Sequence, residues 1–420
     1  MNVWIVNHYA IPPSMGGLVR HYYFSKYLQK KGHNIKIFTS GIIHNTNINL
    51  VKGKELFKES YQDGIEYTFV KSRAYHGNGI DRIINMIDFP FKMWKTLKIF
   101  FKQNRPDVIY ASSPDLFVAF FALLFGKRYK LPVVLEVRDL WPESIVHYNG
   151  MKKSNPIIWT LYQLERWMYK EADKLIFTFE GGKKYIIDKK WDKKISLDKI
   201  EYVNNGVDLA EFAINKDKYK VSDAILENAS LFKVVYVGSI RLVNHLSDLV
   251  EAAKVIREWG YDNIVFLIYG DGTEKEMLEE KCKQENLRMF FRGRVEKKYV
   301  PYILSKSDLN IVNVKNSGLV KYGCSWNKLF EYAASEKPVL SNLPTSYDLI
   351  CNYHFGESKM FNTAEEYASA IIQFSKLSTS EYEEYCNNAK AVGTYFDYTI
   401  LTNEIERILE ESIQCKGESR

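Results

Sequence analysis

Cysteine is scarce and scattered in this chain of 420 residues: Cys282, Cys324, Cys351, Cys386 and Cys415, all in the second half. No Cys-x-x-Cys pair or metal-ligand spacing occurs, and an odd number argues against a disulfide framework, so a reducing cytoplasm is the expected compartment. Long apolar runs are missing too. The longest, Leu116 to Phe125, is about half of the ~20 residues a membrane-spanning helix needs. Met1 to Asn7 alternates as a strand instead of placing an apolar core behind basic residues, so no secretory signal is expected. The Gly-x-Gly-x-x-Gly fingerprint does not follow the first strand, which removes a dinucleotide cofactor. Helix-turn-helix, zinc and RNA-recognition signatures are lacking, and nucleic acid is not an expected partner. There is no solenoid repeat and no low-complexity tract.

What remains is a soluble globular composition, 46% hydrophobic and 26% charged, long enough for two domains with separate cores. Tyr (29) and Phe (24) are abundant, so large aromatic surfaces are buried or meet an apolar partner. The net charge of +7 is unevenly divided. Residues 1–205 hold 32 Lys and Arg against 19 Asp and Glu, and the remainder 26 against 32, giving +13 and −6. The halves face different electrostatic surroundings, or the first meets an anionic surface.

Short apolar strands alternate with helical stretches, the rhythm of parallel sheets covered by helices. Strands are expected at Val3–Val6, Ile35–Thr39, Val108–Tyr110, Val133–Val137, Leu175–Thr178 and Tyr202–Val203. Asn204-Asn205-Gly206 reads as a turn that ends the unit. The rhythm restarts at Val234–Val237 and continues at Val265–Ile268, Phe290–Phe291, Asn310–Val312 and Val339–Leu340. Helices are expected at Leu18–Lys31, His245–Trp259, Thr273–Glu285 and Asn327–Ser335. The expected organisation is an α/β chain with one doubly wound domain over residues 1–207, a linker over 208–230 and a second such domain over 231–394. A terminal helix over 395–420 is expected to pack back on the first. Ligands of such sheets bind at the carboxyl ends of the strands, and a cleft between the two domains is the expected site.

The segment Gly323-Cys-Ser-Trp-Asn-Lys-Leu-Phe-Glu331 carries the clearest chemistry. Ser325 is a natural N-cap, which puts Asn327 and Lys328 in the first helical turn. A lysine there opposes the positive end of the helix dipole, a placement that suits a diphosphate on the free amides. Glu331, one turn on, would accept hydrogen bonds from a ribose diol. A surface helix with an ordinary Lys328–Glu331 pair is the alternative. Gly16-Gly17 lets backbone approach a bound group, with Arg20 in the following helix facing the same space; a flexible turn would look the same. Gly238-Ser239-Ile-Arg241 and Gly270-Asp-Gly272 each follow a strand. Arg241 matches the oxygens of a leaving diphosphate, or is a surface ion-pair member. Arg292-Gly-Arg294-Val295 would frame a base through its backbone. In Glu136-Val-Arg-Asp139-Leu-Trp141-Pro-Glu143, Asp139 would orient an acceptor hydroxyl and Trp141 would stack on a sugar. Alternatively, Arg138 and Glu143 pair around a packed tryptophan.

Together these segments resemble the family-4 glycosyltransferases of the GT-B fold, particularly the bacterial enzymes of O-antigen and capsule synthesis. The resemblance rests on Gly16-Gly17, Glu136 to Glu143, Asn205-Gly-Val-Asp208, Val237-Gly-Ser-Ile-Arg241, Gly270-Asp-Gly272 and Asn327-Lys-Leu-Phe-Glu331, in family order across nearly the whole chain. It implies two Rossmann-like domains facing a central cleft, and sugar transfer from a nucleotide sugar, UDP above all, with retention and no metal or other cofactor. The Asp-x-Asp triplet of metal-dependent glycosyltransferases is indeed missing. The implied catalytic set is Arg241, Lys328, Glu331 and Asp139. Gly16, Gly17, Arg20, Gly238, Ser239, Gly270, Arg294, Val295, Asn327 and Leu329 would bind the donor, with Trp141 and Glu143 on the acceptor side. Two positions depart from the family: Gly323 stands where many members have the first glutamate of a Glu-x7-Glu pair, and Leu246 where many have a lysine.

Phe91 to Lys102 sets Lys92, Lys95, Lys98 and Lys102 on one helical stripe and Met93, Trp94, Leu97, Phe100 and Phe101 on another. Such a helix can lie in an anionic bilayer interface or cover a sheet with a solvated basic face. With the basic first half and the lysine-rich Lys183–Lys199, the expectation is peripheral contact with the inner face of the cell membrane. A lipid-diphosphate-linked saccharide is the expected acceptor. A nucleotide-sugar epimerase on the same architecture and a non-catalytic nucleotide-sugar-binding partner of an assembly complex are the alternatives.

Overall fold

The computed structural model describes residues 1–44, 46, 48–75, 79–316 and 318–418. The chain divides into two units, Met1–Asn204 with Tyr398–Arg420, and Asn205–Asp397.

The first unit is an eight-stranded sheet of β1 (Asn2–Val6), β2 (Asn34–Ser40), β3 (Phe57–Gln62), β4 (Ile65–Val70), β5 (Val108–Ser112), β6 (Val133–Val137), β7 (Lys174–Phe177) and β8 (Ile200–Tyr202). Their order is β3-β4-β2-β1-β5-β6-β7-β8, and every pairing is parallel except β3 with β4. β5 and β6 are buried along their whole length, as strands covered on both faces must be. The antiparallel hairpin turns at Asp63-Gly64, whose φ values of +50° and +86° are those of the tight hairpin turn. Two of the covering helices start where side chains cap them. Asp115 accepts from the Phe117 amide at 2.9 Å to open Leu116–Tyr129, and Asn155 accepts from Ile157 at 2.9 Å to open Pro156–Glu171.

The last helix, Tyr398–Glu418, packs on the Arg20–Lys30 helix of this first unit. Tyr398 stacks on Tyr23 at 4.6 Å, Glu406 takes Lys31 and His33, and Lys416 reaches Asp173 at 2.8 Å.

The helix Ile80–Gln103 uses much of the expected bilayer stripe for the core. Met93, Leu97 and Phe100 are buried, Trp94 packs edge-on against Phe121 and Phe125, and Phe101 packs against Phe125 and Tyr129. These residues therefore cover the sheet. Other apolar residues are left open: Ile83, Ile87 and Phe91, and Ile157 and Trp159 of the Pro156–Glu171 helix, are exposed, and Leu116–Tyr129 packs against both helices. Among the described residues no helix is long and apolar enough to cross a membrane.

The second unit is a six-stranded, wholly parallel sheet of β9 (Phe232–Val237), β10 (Ile264–Tyr269), β11 (Met289–Gly293), β12 (Leu309–Val312), β13 (Val339–Ser341) and β14 (Gly356–Ser358), in the order β11-β10-β9-β12-β13-β14. Residues 208–230, expected as a linker, are built structure. Asp208 caps a helix over Leu209–Lys218 and Asp223 caps Ala224–Glu227, and both helices belong to this unit. Acidic N-caps, placed where the following amides lack carbonyl partners, override the weak apolar pattern that suggested a linker.

Candidate active site

In the second unit the carboxyl ends of β9, β10 and β11 are sewn to one another beyond the strands. Gly238 donates to the Tyr269 carbonyl at 2.9 Å, Ile240 to Asp271 at 2.9 Å, and Gly270 to Gly293 at 2.8 Å. Two of these glycines are demanded by backbone contact. A β-carbon on Gly270 would lie 1.7 Å from the Gly238 carbonyl oxygen, and one on Gly272 2.1 Å from that of Ile240. On this platform Ser239 is exposed, its hydroxyl donating to Asn244 Oδ1 at 2.8 Å. Arg241 is exposed as well, and no ion pair to it is found among the described residues, contrary to the surface-bridge alternative.

The Asn327–Ala334 helix brings its amino end to the same platform. Ser325 is not its cap. Trp326 holds the N-cap position without a side-chain bond, and the Ser325 hydroxyl accepts from the Asn205 amide at 3.1 Å. With no capping side chain, the first-turn amides of Asn327 and Lys328 are left for a ligand or solvent. The Leu329 amide donates to the Trp326 carbonyl at 3.0 Å and its side chain is buried, so Leu329, expected among the donor ligands, serves the core instead. Asn327 is exposed.

Lys328 does not pair with Glu331. Its ammonium donates to Tyr236 Oη at 3.0 Å, lies 4.1 Å from the centre of that ring, and sits 2.8 Å from where a β-carbon of Gly238 would be. The residue keeps some solvent contact, but its ammonium is packed deep enough that burial pushes it down to about 7, Glu331 opposing. Glu331 instead meets Lys297 at 3.0 Å.

A cavity of about 410 Å³ lies beside this platform, lined by Val221, Ser222, Asp223, Tyr269, Arg292 and Val295. Arg292 grips Asp223 through two bonds of 2.6 and 3.1 Å, while Arg294 is exposed. The two family departures have structural reasons. Gly323 has φ +94°, a left-handed conformation that disfavours a glutamate. Leu246 is buried in the core of the unit, where a lysine would have to bury its charge.

In the first unit, Gly16 and Gly17 precede a helix that starts at Arg20, not Leu18. A β-carbon on Gly16 would fall 2.7 Å from Ile11 Cδ1. Arg20, expected to face the donor, is an internal residue. It is 2% exposed, and its guanidinium donates to Glu136 at 2.8 Å, to the Val203 carbonyl at 2.7 Å and to the Asn204 carbonyl. Every edge of the fork that would hold a phosphate is taken by protein. Glu136 also accepts from Ser112 at 2.8 Å and from Tyr110; burial would raise its carboxyl, but Arg20 and His21 hold it well below the usual range.

Glu143 is internal too. It is buried, bonded to Tyr162 and Lys189 and 2.9 Å from Lys153; burial opposes ionisation, yet these partners bring its carboxyl down to about 2. The alternative Arg138–Glu143 pair is not found among the described residues; lysines from elsewhere in the unit take the place of the arginine. Trp141 is half-buried and Asp139 exposed. Although water reaches Asp139, the protein around it raises its carboxyl above the ordinary range, Arg138 opposing. The one metal-capable group among the described residues, His33, Glu406 and Glu410, already holds Lys31 and lies away from these loops.

Sequence reasoning missed Tyr236 and Lys297, whose partners lie 92 and 34 positions away, and the buried His8–Asp115 pair. No local pattern announces such contacts.

Residues 15–211 match the model of the family described as Glycosyltransferase Family 4, and residues 217–392 that of Glycosyl transferases group 1. A protein described as probable glycosyltransferase WbjE, from Pseudomonas aeruginosa, is 24% identical over 260 residues. That match covers 59% of this chain and 60% of the relative's length. Among solved structures, sucrose-phosphate synthase of Thermosynechococcus elongatus superposes with a TM-score of 0.72 at 14% identity, covering 99% of both chains. HepE of Anabaena, in complex with UDP-glucose, gives 0.64 at 14% identity over 98% of this chain and 100% of its own. At such identities these likenesses establish the fold.

Proposed function

The chain belongs to the family-4 and group-1 glycosyltransferases of the GT-B fold, and from that premise we propose that it transfers a sugar from a nucleotide sugar, UDP-linked first, to a lipid-linked or saccharide acceptor in surface-polysaccharide synthesis. The observation that carries this reading is the Lys328 ammonium lodged against Gly238 at the open amino end of the Asn327–Ala334 helix. Cation, free amides and a side-chain-free backbone meet there, which is the chemistry a diphosphate requires. Arg241, three residues beyond Gly238, would take up the charge that develops on the leaving group. Glu331 would leave Lys297 for the ribose diol, and the cavity at Tyr269 and Val295 has the position of a base site.

In the reaction, the bond from the anomeric carbon to the diphosphate oxygen breaks and one to the acceptor oxygen forms on the same face. The departing diphosphate oxygen takes the hydroxyl proton, so retention follows without a protein nucleophile or a metal. Asp139, exposed on the first unit, would orient that hydroxyl. The test is UDP release and labelled-sugar transfer with a panel of UDP-sugars, with and without lipid-diphosphate saccharides. Acceptor-dependent release supports transfer. UDP release with a rearranged free sugar would replace it with epimerisation, and nucleotide binding without turnover would make the chain a binding partner.

Membrane contact is part of the same proposal, at the cytoplasmic face. Ile83, Ile87 and Phe91 are exposed on the helix that also carries exposed Lys95, Lys98 and Lys102, and Ile157 and Trp159 are exposed on Pro156–Glu171, a combination suited to an anionic interface. Flotation with vesicles containing phosphatidylglycerol reads it. Trp159→Ala with Phe91→Glu should abolish co-flotation, and undiminished flotation would remove these residues from the proposal.

A further inference from the structure

Just beyond β1, His8 Nδ1 lies 2.6 Å from Asp115 Oδ2, both side chains buried. β1 and β5 are neighbours in the sheet, so their carboxyl ends bring together residues 107 positions apart. The other Asp115 oxygen is fixed by the Phe117 amide at 2.9 Å. A carboxylate on Nδ1 takes the proton-bearing side of the imidazole and leaves Nε2 as an acceptor. Tyr9 stacks on the ring at 4.4 Å and Phe89 at 4.3 Å, so aromatic packing fixes its plane as well.

Nε2 is buried and has no partner among the described residues. Asn7 is in the same state on its donor side: Oδ1 accepts from the Tyr9 amide at 2.6 Å, while Nδ2 is buried and unbonded. An unfilled buried acceptor or donor has lost its water and gained nothing in exchange. Here one of each stands on consecutive residues. A ligand hydroxyl donating to Nε2 would satisfy the histidine.

The neighbourhood is the one assigned to the acceptor. Ser113 donates its amide to the Glu136 carbonyl at 2.9 Å, and its hydroxyl accepts from the Arg138 amide at 3.1 Å. The loop carrying Asp115 is thereby tied to the loop carrying Asp139.

We propose that His8 Nε2 forms a subsite for a sugar hydroxyl of the acceptor, with Asp115 holding the tautomer. This rests on the transferase reading for the identity of the ligand as acceptor. His8→Phe keeps the aromatic sandwich and removes the nitrogen. It should raise the acceptor KM about ten- to a hundredfold, the loss of one buried hydrogen bond, with UDP affinity unchanged. His8→Gln, which restores a side-chain acceptor, should recover part of the loss, and Asp115→Asn should behave like His8→Phe. An unchanged acceptor KM in His8→Phe would overturn the subsite and leave an internal water as the occupant. Equal losses in UDP affinity and acceptor KM would also overturn it, marking a structural role. Saturation-transfer NMR with methyl glycosides reads binding without turnover: signal lost in His8→Phe supports the subsite even if no donor is ever turned over, and signal retained sinks it.

Discussion

Binding of UDP-glucose at pH 8 should draw a proton from solution, and Lys328 is the group that takes it. Unliganded, burial beside Tyr236 holds its ammonium at about 7, with Glu331 opposing. A diphosphate against it makes a charge-assisted bond of about 1.5–3 kcal/mol, which raises the group by roughly one to two pH units. At the upper figure, the protonated fraction at pH 8 rises from about one-tenth to about nine-tenths, an uptake of about 0.8 proton per site. Calorimetric titration in two buffers of different ionisation enthalpy, phosphate and Tris, measures that number directly. At pH 6 the uptake should vanish, because the amine is already charged. Affinity should then be flat below pH 7 and fall above it, by at most about tenfold per pH unit. Lys328→Met should abolish the uptake. The same heats in both buffers at pH 8, or an unaltered uptake in Lys328→Met, would refute the placement of Lys328 at the diphosphate. The sign for stability is opposite to that of a stabilising pair. The folded value lies below the unfolded 10.5, so the unfolded chain binds more protons between the two, and apo stability rises with pH across that window. The cost is complete below about pH 7, and Lys328→Met should therefore raise the apo melting temperature at pH 6.

Arg241→Ala should lower kcat/KM about 10²–10³-fold, as loss of a transition-state charge partner does, with no shift in melting temperature; unchanged turnover would remove Arg241 from the site. Gly270→Ala places a β-carbon 1.7 Å from the Gly238 oxygen, so backbone must move, and urea unfolding should show at least about 2 kcal/mol lost together with UDP affinity. A wild-type unfolding midpoint would contradict the described glycine contact. Arg20→Met takes the guanidinium from the buried Glu136 and leaves it only Ser112, Tyr110 and His21, which should cost about 3–5 kcal/mol by urea unfolding. Because Glu136 sits below its unfolded value, its stabilisation is present above about pH 4.5 and is lost as pH falls further, and this acid dependence should shrink in the variant.

The central strands were readable because a parallel strand covered on both faces must be an apolar run, as Val133–Val137 is. The β3–β4 hairpin was missed although Asp63-Gly64 between alternating residues announces it. β14 has no such announcement: Gly356–Ser358 is three residues without an apolar one, ordered by pairing with β13. The site divides in the same way. Gly270 could be read from its place after a strand, but its reason is contact with another backbone segment 32 positions earlier. The roles of Arg20 and Glu143 were misread because a buried charge and a ligand-binding charge look alike until the partner is known. Those partners, Glu136 and Lys189, are 116 and 46 positions away.

The return of Tyr398–Glu418 to the first unit has a consequence for biosynthesis. The sheet of the first unit leaves the ribosome before the second unit does, yet the helix against which Tyr23, Lys31 and His33 pack leaves after it. The second unit, continuous from Asn205 to Asp397, has all of its strands before that helix is made. Order of synthesis and order of completion are thus reversed, and the half that bears Asp139 would wait, partly uncovered, for Tyr398–Glu418.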